Sequence, residues 1–319
     1  MFCLVLWKWK RPDFGLLKFN HYESSEIKYN FCFLKTRLLR SDALDQYEMQ
    51  NTNQARKTEE ILKIIESYLD EIIHHFGIEW NLLLNQHYST MKTMNVFIIA
   101  RIALFLSICK VLGLRRDLFI KYYFWDMTIH YNGNCKSRHS YKMVVEWLLP
   151  QMSNLKIPLK LHHVILVICG LLHLSCHITF MIVAMINYPH WQARVKDVKE
   201  DAIIFIHEVQ RYYPVFMYLF NQKDRVICDY YASNHDPKRF RFPDDFYPDQ
   251  LNTSSYSVSR PSIFPPAQLT DDLMFVALEY LLEYSFRATE LSQKPTSHFE
   301  VKHGMCLPKY KVNLSLYAL

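Results

Sequence analysis

VILVICGLLHLSCHITFMIVAMI, residues 164–186, decides how this chain is to be read. These 23 residues contain no Asp, Glu, Lys or Arg. As a single helix the stretch would run roughly 35 Å at about 1.5 Å per residue, long enough to cross a bilayer. Two structures satisfy that composition. One is a membrane span. The other is the central helix of a large helical protein, apolar all round because it is buried all round. His173, Ser175, Cys176, His177 and Thr179 make it more polar than an ordinary span. Pro189 ends it on the C-terminal side.

The flanks are rich in helical periodicity. From Thr58 to Phe76, apolar residues recur at 61, 62, 64, 65, 69, 72 and 73 with charges between them. Val96 to Leu114 is a second helical stretch, and Arg101 and Lys110 within it argue against a membrane span there. Residues 115–147 are mixed, with a loop at Asn132-Gly133-Asn134. Residues 199–213 read as an amphipathic helix stopping before Pro214. Arg225 to Tyr231 reads as a short strand, and 234–266 as a proline-rich irregular stretch. Leu269 to Phe286 reads as a helix with Asp271 and Asp272 in its first turn, where the helix dipole favours anions. From His298 onward short strands surround a Leu307-Pro308 turn. Residues 1–55 carry only weak signals, and their apolar start is too short for an ordinary signal peptide.

Composition narrows the chemistry. The chain has 319 residues, half of them hydrophobic, so it can bury a large core. It has only six glycines, and no two lie within one short motif. That excludes the Walker loop and the dinucleotide fingerprint, both of which need glycine where the backbone meets phosphate. The net charge of +6 is spread along the chain and does not point to nucleic acid. None of the eight cysteines forms a C-x-x-C pair, which reads as reduced, buried thiols.

Two constellations carry possible chemistry. Glu208 and Arg211 stand three apart before Pro214, on one helix face and within ion-pair reach. A solvated surface pair is the commoner case; the apolar neighbours allow a buried one, which would need further hydrogen bonds. Cys169, His173, Cys176 and His177 lie on one side of the long helix and are soft or borderline metal ligands. Four ligands on one helix rarely close a tetrahedron, so the reading here is a buried helix with a few polar side chains. His74-His75 reads as surface, and His162-His163 carries no signal. No G-x-S-x-G, H-E-x-x-H or kinase signature is present.

Several motifs in order resemble the cytochrome P-450 superfamily, most nearly its bacterial peroxide-using group that hydroxylates fatty acids. They are Tyr188-Pro189-His190-Trp191, the run from Phe205 to Pro214 that holds Glu208 and Arg211, Asp229 to Pro237, and Pro243-Asp244-Asp245-Phe246-Tyr247-Pro248. The match is good over about 164–315. The resemblance implies a mainly α, truncated cytochrome P-450-like fold with small β elements, a single domain over 1–319. It makes 164–186 the long central helix. It implies a heme oxidoreductase of the fatty-acid hydroxylase, monooxygenase or peroxygenase type, with iron and heme as cofactor. A fatty acid or other hydrophobic small molecule is the implied partner, with no nucleic acid. A cytoplasmic location is implied, membrane association being the alternative.

The departures matter as much. The family's heme cysteine should lie between Val258 and Leu269, where this chain reads SRPSIFPPAQ. Cys306 falls in the closing hairpin instead. The Arg-Pro pair that holds substrate carboxylate in the peroxide-using group aligns with Cys169-Gly170, and the third arginine of the structural network with Gln250. The strand pair expected before Arg225 is shortened. Of the supporting network only the Glu208–Arg211 pair carries over, no catalytic residue is identifiable, and a degenerate enzyme is the expectation. Two readings from other classes stand beside it: a single-span membrane protein with a soluble helical tail, and a non-catalytic module for a hydrophobic ligand.

Overall fold

The computed structural model describes residues 37–50, 61, 63–90, 94–131, 138–221, 226–253, 257–261, 265–288, 299–302, 305–308 and 313–318. The first elements are β1 (Arg37–Leu39) and α1 (Ser41–Gln50). A 3-10 turn at Glu66–Tyr68 leads into α2 (Leu69–Ser89). Then come β2 (Met94–Asn95), α3 (Val96–Leu112), α4 (Ile120–Tyr131) and α5 (Arg138–Leu148). The long apolar stretch forms α6 (Leu161–Leu172) and α7 (Leu174–Asn187). They are followed by α8 (His190–Asp197), α9 (Lys199–Tyr212), β3 (Tyr218–Asn221), β4 (Val226–Asp229) and α10 (Tyr230–Asn234). The chain continues through α11 (Gln250–Thr253), α12 (Ala267–Leu281), β5 (Tyr284–Ala288), β6 (Phe299–Lys302), β7 (Met305–Pro308) and β8 (Asn313–Ala318).

The ends of these elements follow local chemistry. Asn95 caps α3 by accepting the Ile98 N–H at 3.0 Å, and Gly113 terminates it at φ +76, a conformation that costs a side-chain-bearing residue energy. Asp229 caps α10 through the Ala232 N–H at 2.9 Å. α9 stops two residues short of Pro214.

Helix α7 is the axis of the molecule. It packs against α3, α9 and α12, while α2 packs against both α3 and α12. Ile178, Phe180, Met181, Ile182, Val183, Ala184 and Met185 are wholly buried. The continuous run Leu161–Asn187 has a mean hydropathy of 2.2, and 83% of its most apolar window is inside the protein. Its lack of an apolar-polar division is therefore that of a core helix. The expected unbroken helix is corrected in one respect: it is interrupted at His173. Ser175 Oγ donates to the Leu172 carbonyl at 2.7 Å, and Thr179 Oγ1 to the Ser175 carbonyl at 2.6 Å. The Cys176 N–H turns back to the His173 carbonyl in a tighter bond of 2.9 Å. Such side-chain bonds compete with the regular ladder and bend a helix.

Small sheets close the periphery. β4 lies between β1, its parallel neighbour (Leu38 opposite Ile227), and antiparallel β3 (Leu219 opposite Cys228). β8 joins β2 and β5, both antiparallel. β6 and β7 form a hairpin, and the Cys306 N–H of β7 donates to the Val215 carbonyl at 2.7 Å.

Other boundaries differ from expectation. Of the strand read over Arg225–Tyr231, Val226–Asp229 is strand and Tyr230 and Tyr231 are already helix, because Asp229 caps that helix; Arg225 lies outside the described residues. The helix read over Leu269–Phe286 begins at Ala267 and ends at Leu281, and Tyr284 to Phe286 belong to a strand paired with β8. Asp271 and Asp272 therefore sit in its second turn. Residues 1–55 do contain ordered elements: Arg40 of the β1–α1 junction bonds Asp229 at 3.0 Å, and the Ser41 N–H donates to Ser233 Oγ at 2.7 Å. The Asn132-Gly133-Asn134 loop lies outside the described residues.

Candidate functional site

The Glu208–Arg211 pair is buried, with no exposed side-chain surface on either partner. Arg211 Nε and Nη2 donate to the two carboxylate oxygens at 2.7 and 2.8 Å. The remaining donors reach the carbonyls of Asn234 at 2.8 Å, Pro243 at 2.8 Å and Asp245 at 2.7 Å. All five N–H groups of the guanidinium are thus satisfied, which is what a buried ion pair requires. One ion pair on α9 thereby fastens the irregular stretch 234–253, which has few backbone ladders of its own. Gln250, the position aligned with the third network arginine, does join the node: its amide donates to Glu208 Oε1 at 3.0 Å and accepts the Phe242 N–H at 3.1 Å. The Tyr247 N–H completes the carboxylate's shell at 2.7 Å.

A second node leads towards α12. Asn234, fully buried, clamps Ser259 from both sides: its Nδ2 donates to the Ser259 carbonyl at 3.0 Å and its Oδ1 accepts the Ser259 N–H at 2.8 Å. Arg239 Nη1 donates to Ser259 Oγ at 2.8 Å. Asp271 is a hub rather than a helix-dipole residue. It accepts Gln210 Nε2 at 2.7 Å and Arg260 Nη1 at 3.1 Å, and pairs with His207 Nε2 at 3.1 Å. Burial raises its carboxyl pKa, but the His207 bond and the Arg260 charge outweigh that and hold it below the ordinary value.

On the central helices the four soft side chains do not converge. Cys169 Sγ points to the Phe124 carbonyl at 3.6 Å, and His173 packs its ring edge-on against Phe216 at 4.9 Å. His177 Nδ1 has no partner among the described residues. No group of three His, Cys, Asp or Glu able to hold a metal ion occurs among the described residues. Burial pushes the Cys169 and Cys306 thiols up to about 12. His74 is exposed, while His163 is buried.

Burial pushes His173 down to about 3; it does the same to His235, helped by the Arg211 charge. Both rings are neutral in the fold and gain a proton on unfolding below about pH 6.5. A depressed histidine pKa means that stability is full above the unfolded value and is lost as pH falls. Each should remove about 1.4 kcal/mol per pH unit between about pH 6.5 and the folded value. Urea unfolding at pH 7.5 and 5.5 is expected to show a loss of about 2–3 kcal/mol from this pair, and His173→Phe should halve it.

Sequence reasoning found Glu208, Arg211 and Gln250. It missed Asn234 and Arg260, and misassigned Asp271. The one signal was the motif order around Asn234, because the partner of each is 11 to 64 residues away. The Cys169-Gly170 position holds no charge, and no Cys, His, Met or Tyr stands between Val258 and Leu269.

No family model and no curated protein matches the chain. Solved structures do. Ligand-free cytochrome P450 OleT is 14% identical, with a TM-score of 0.66 over 83% of this chain and 78% of that one. Cytochrome P450EX alpha, solved with myristic acid, is 15% identical, with a TM-score of 0.64 over 83% of this chain and 78% of that one. Cytochrome P450SP alpha, solved with (R)-ibuprophen, is 15% identical, with a TM-score of 0.64 over 84% and 80%. At such identities the likeness is one of fold. The chain has a mostly helical, shortened cytochrome P450-like fold with small sheets.

Proposed function

We propose that this chain descends from a fatty-acid-oxidising cytochrome P-450 and keeps its scaffold as one domain over 1–319, but does not carry out thiolate-heme chemistry. One observation carries the reading: the scaffold's polar node is complete while the segment before α12 offers iron no sulfur. A cysteine thiolate is what donates electron density for O–O cleavage in such enzymes. The residues present do not fit a thiolate-held heme. The segment 258–269 has no thiol, and its described polar groups are already committed, Ser259 to Asn234 and Arg260 to Asp271. Cys306 is held in β7 by the Val215 carbonyl, with its thiol buried.

The partner of the retained scaffold is a fatty acid or similar hydrophobic acid, and its location is cytoplasmic. The apolar helix that would argue for a membrane is accounted for by core packing. The test is spectroscopic. Chain expressed with excess heme, purified and reduced under carbon monoxide, is expected to give no thiolate-type Soret band in the difference spectrum. Such a band at stoichiometric intensity would refute the proposal.

A further inference from the structure

Arg101 lies on α3, in the middle of an apolar helix, with only 7% of its surface exposed. Lys121, in the first turn of α4, is 2% exposed. The two cations feel one another: burial first, and the Arg101 charge second, push Lys121 down to about 8. Neither has a carboxylate partner among the described residues. Arg101 Nε has no hydrogen-bond partner there at all. Its guanidinium carbon lies 4.5 Å from the centre of the Phe97 ring and 4.9 Å from that of Trp125, two rings that meet edge to face 5.1 Å apart, and its other electrostatic neighbours are the Cys176 thiol and the Tyr122 phenol. Lys121 Nζ stands 5.1 Å over the Tyr122 ring.

Stacking on aromatic faces offsets only part of the cost of removing a cation from water, and two like charges side by side add to it. A buried, unpaired Arg–Lys pair is an arrangement that an anion completes. A planar fork with a free Nε edge fits a carboxylate in two-point contact, with lysine as an adjacent point charge. The immediate walls are the Phe97 and Trp125 rings, while Leu118, Phe119 and Tyr122 beside Lys121 are 41%, 63% and 56% exposed. That surround suits an apolar body behind the anionic head.

We propose that Arg101 and Lys121 form a binding site between α3 and α4 for the carboxylate head of an amphipathic acid. Its residues belong to α3 and α4, whereas Cys169-Gly170, the position where the resemblance would put a carboxylate clamp, belongs to α6. The acyl nature of the tail rests on the fatty-acid reading above; the anion site itself does not.

Myristate and its uncharged analogue myristyl alcohol are the probes, with binding to the full heme-free chain followed by titration calorimetry. Myristate is expected to bind the wild type, and its dissociation constant to rise about tenfold or more in Arg101→Gln and in Lys121→Gln. Myristyl alcohol should bind all three proteins alike. Both variants should melt no lower than wild type without ligand, because each removes an uncompensated buried charge. Lys121→Met serves equally if one variant folds poorly. Undiminished myristate binding in both variants would overturn this site and leave the fatty-acid reading intact. No binding of myristate to the wild type would overturn both.

Discussion

Arg211→Met is expected to destabilise the fold by about 3–5 kcal/mol, a large share of the roughly 5–15 kcal/mol that holds an ordinary domain together. The loss has two sources. Glu208 would remain wholly buried without its counter-ion, and three carbonyls, of Asn234, Pro243 and Asp245, would lose their donor. Arg211→Lys isolates geometry from charge. It keeps the positive charge but cannot present five N–H groups in a planar fork, so more than half of the loss should remain. Glu208→Met combined with Arg211→Met should cost less than the sum of the single changes, because the unpaired ion is gone. Equilibrium urea unfolding of wild type and the four variants, Glu208→Met alone included, measures all three quantities. An Arg211→Lys protein as stable as wild type would show that only charge matters and that the carbonyl contacts contribute nothing.

How much of this was legible in the sequence depended on the range of the interactions involved. The α9 helix was legible because its period, its acidic first turn and Pro214 are all local. The central segment was legible as a helix but not as a core helix, since full burial and a membrane leave the same apolar signature; only packing against α3, α9 and α12 separates them. The interruption at His173 arises from Ser175 and Thr179 bonding back to the main chain, a choice hydropathy does not record. Pairing of β1 with β4 joins residues nearly two hundred positions apart through a three-residue strand, too short to show a period. The family resemblance supplied Gln250 by alignment, and the bond to Glu208 gives that alignment a physical content.

The treatment of buried charge separates the two sites. At Arg211 every donor is spent on the protein itself, so the group is structural and its removal should be read in stability. At Arg101 the side chain is also buried, though less completely, and its Nε is unspent among the described residues. A chain that pairs one buried arginine completely and leaves another uncompensated is carrying an energetic cost that folding does not require. That contrast is why loss of Arg101 should be read in ligand affinity. It also predicts that in ligand-free melting experiments loss of Arg211 lowers the midpoint and loss of Arg101 does not.

Asn234→Ala should be the second large destabilisation, about 2–6 kcal/mol. The side chain satisfies both main-chain groups of Ser259, itself buried, so truncation strands one N–H and one C=O away from water. Asn234→Asp tests the donor alone. Its carboxylate can still accept the Ser259 N–H but faces the Ser259 carbonyl with like partial charge. Burial and that carbonyl would raise the new carboxyl's folded pKa above its unfolded value near 3.9. A raised folded pKa means stability that is present at low pH and lost as pH rises through it. The deficit of Asn234→Asp against wild type should therefore be largest at pH 7.5 and shrink at pH 5, where the protonated carboxyl donates again. Because His173 and His235 titrate in both proteins, their acid losses cancel in the difference. Amide exchange at Ser259, slow in wild type, should accelerate in step with the deficit. An Asn234→Asp protein equal to wild type at pH 7.5 would mean that the clamp does not hold the segment before α12.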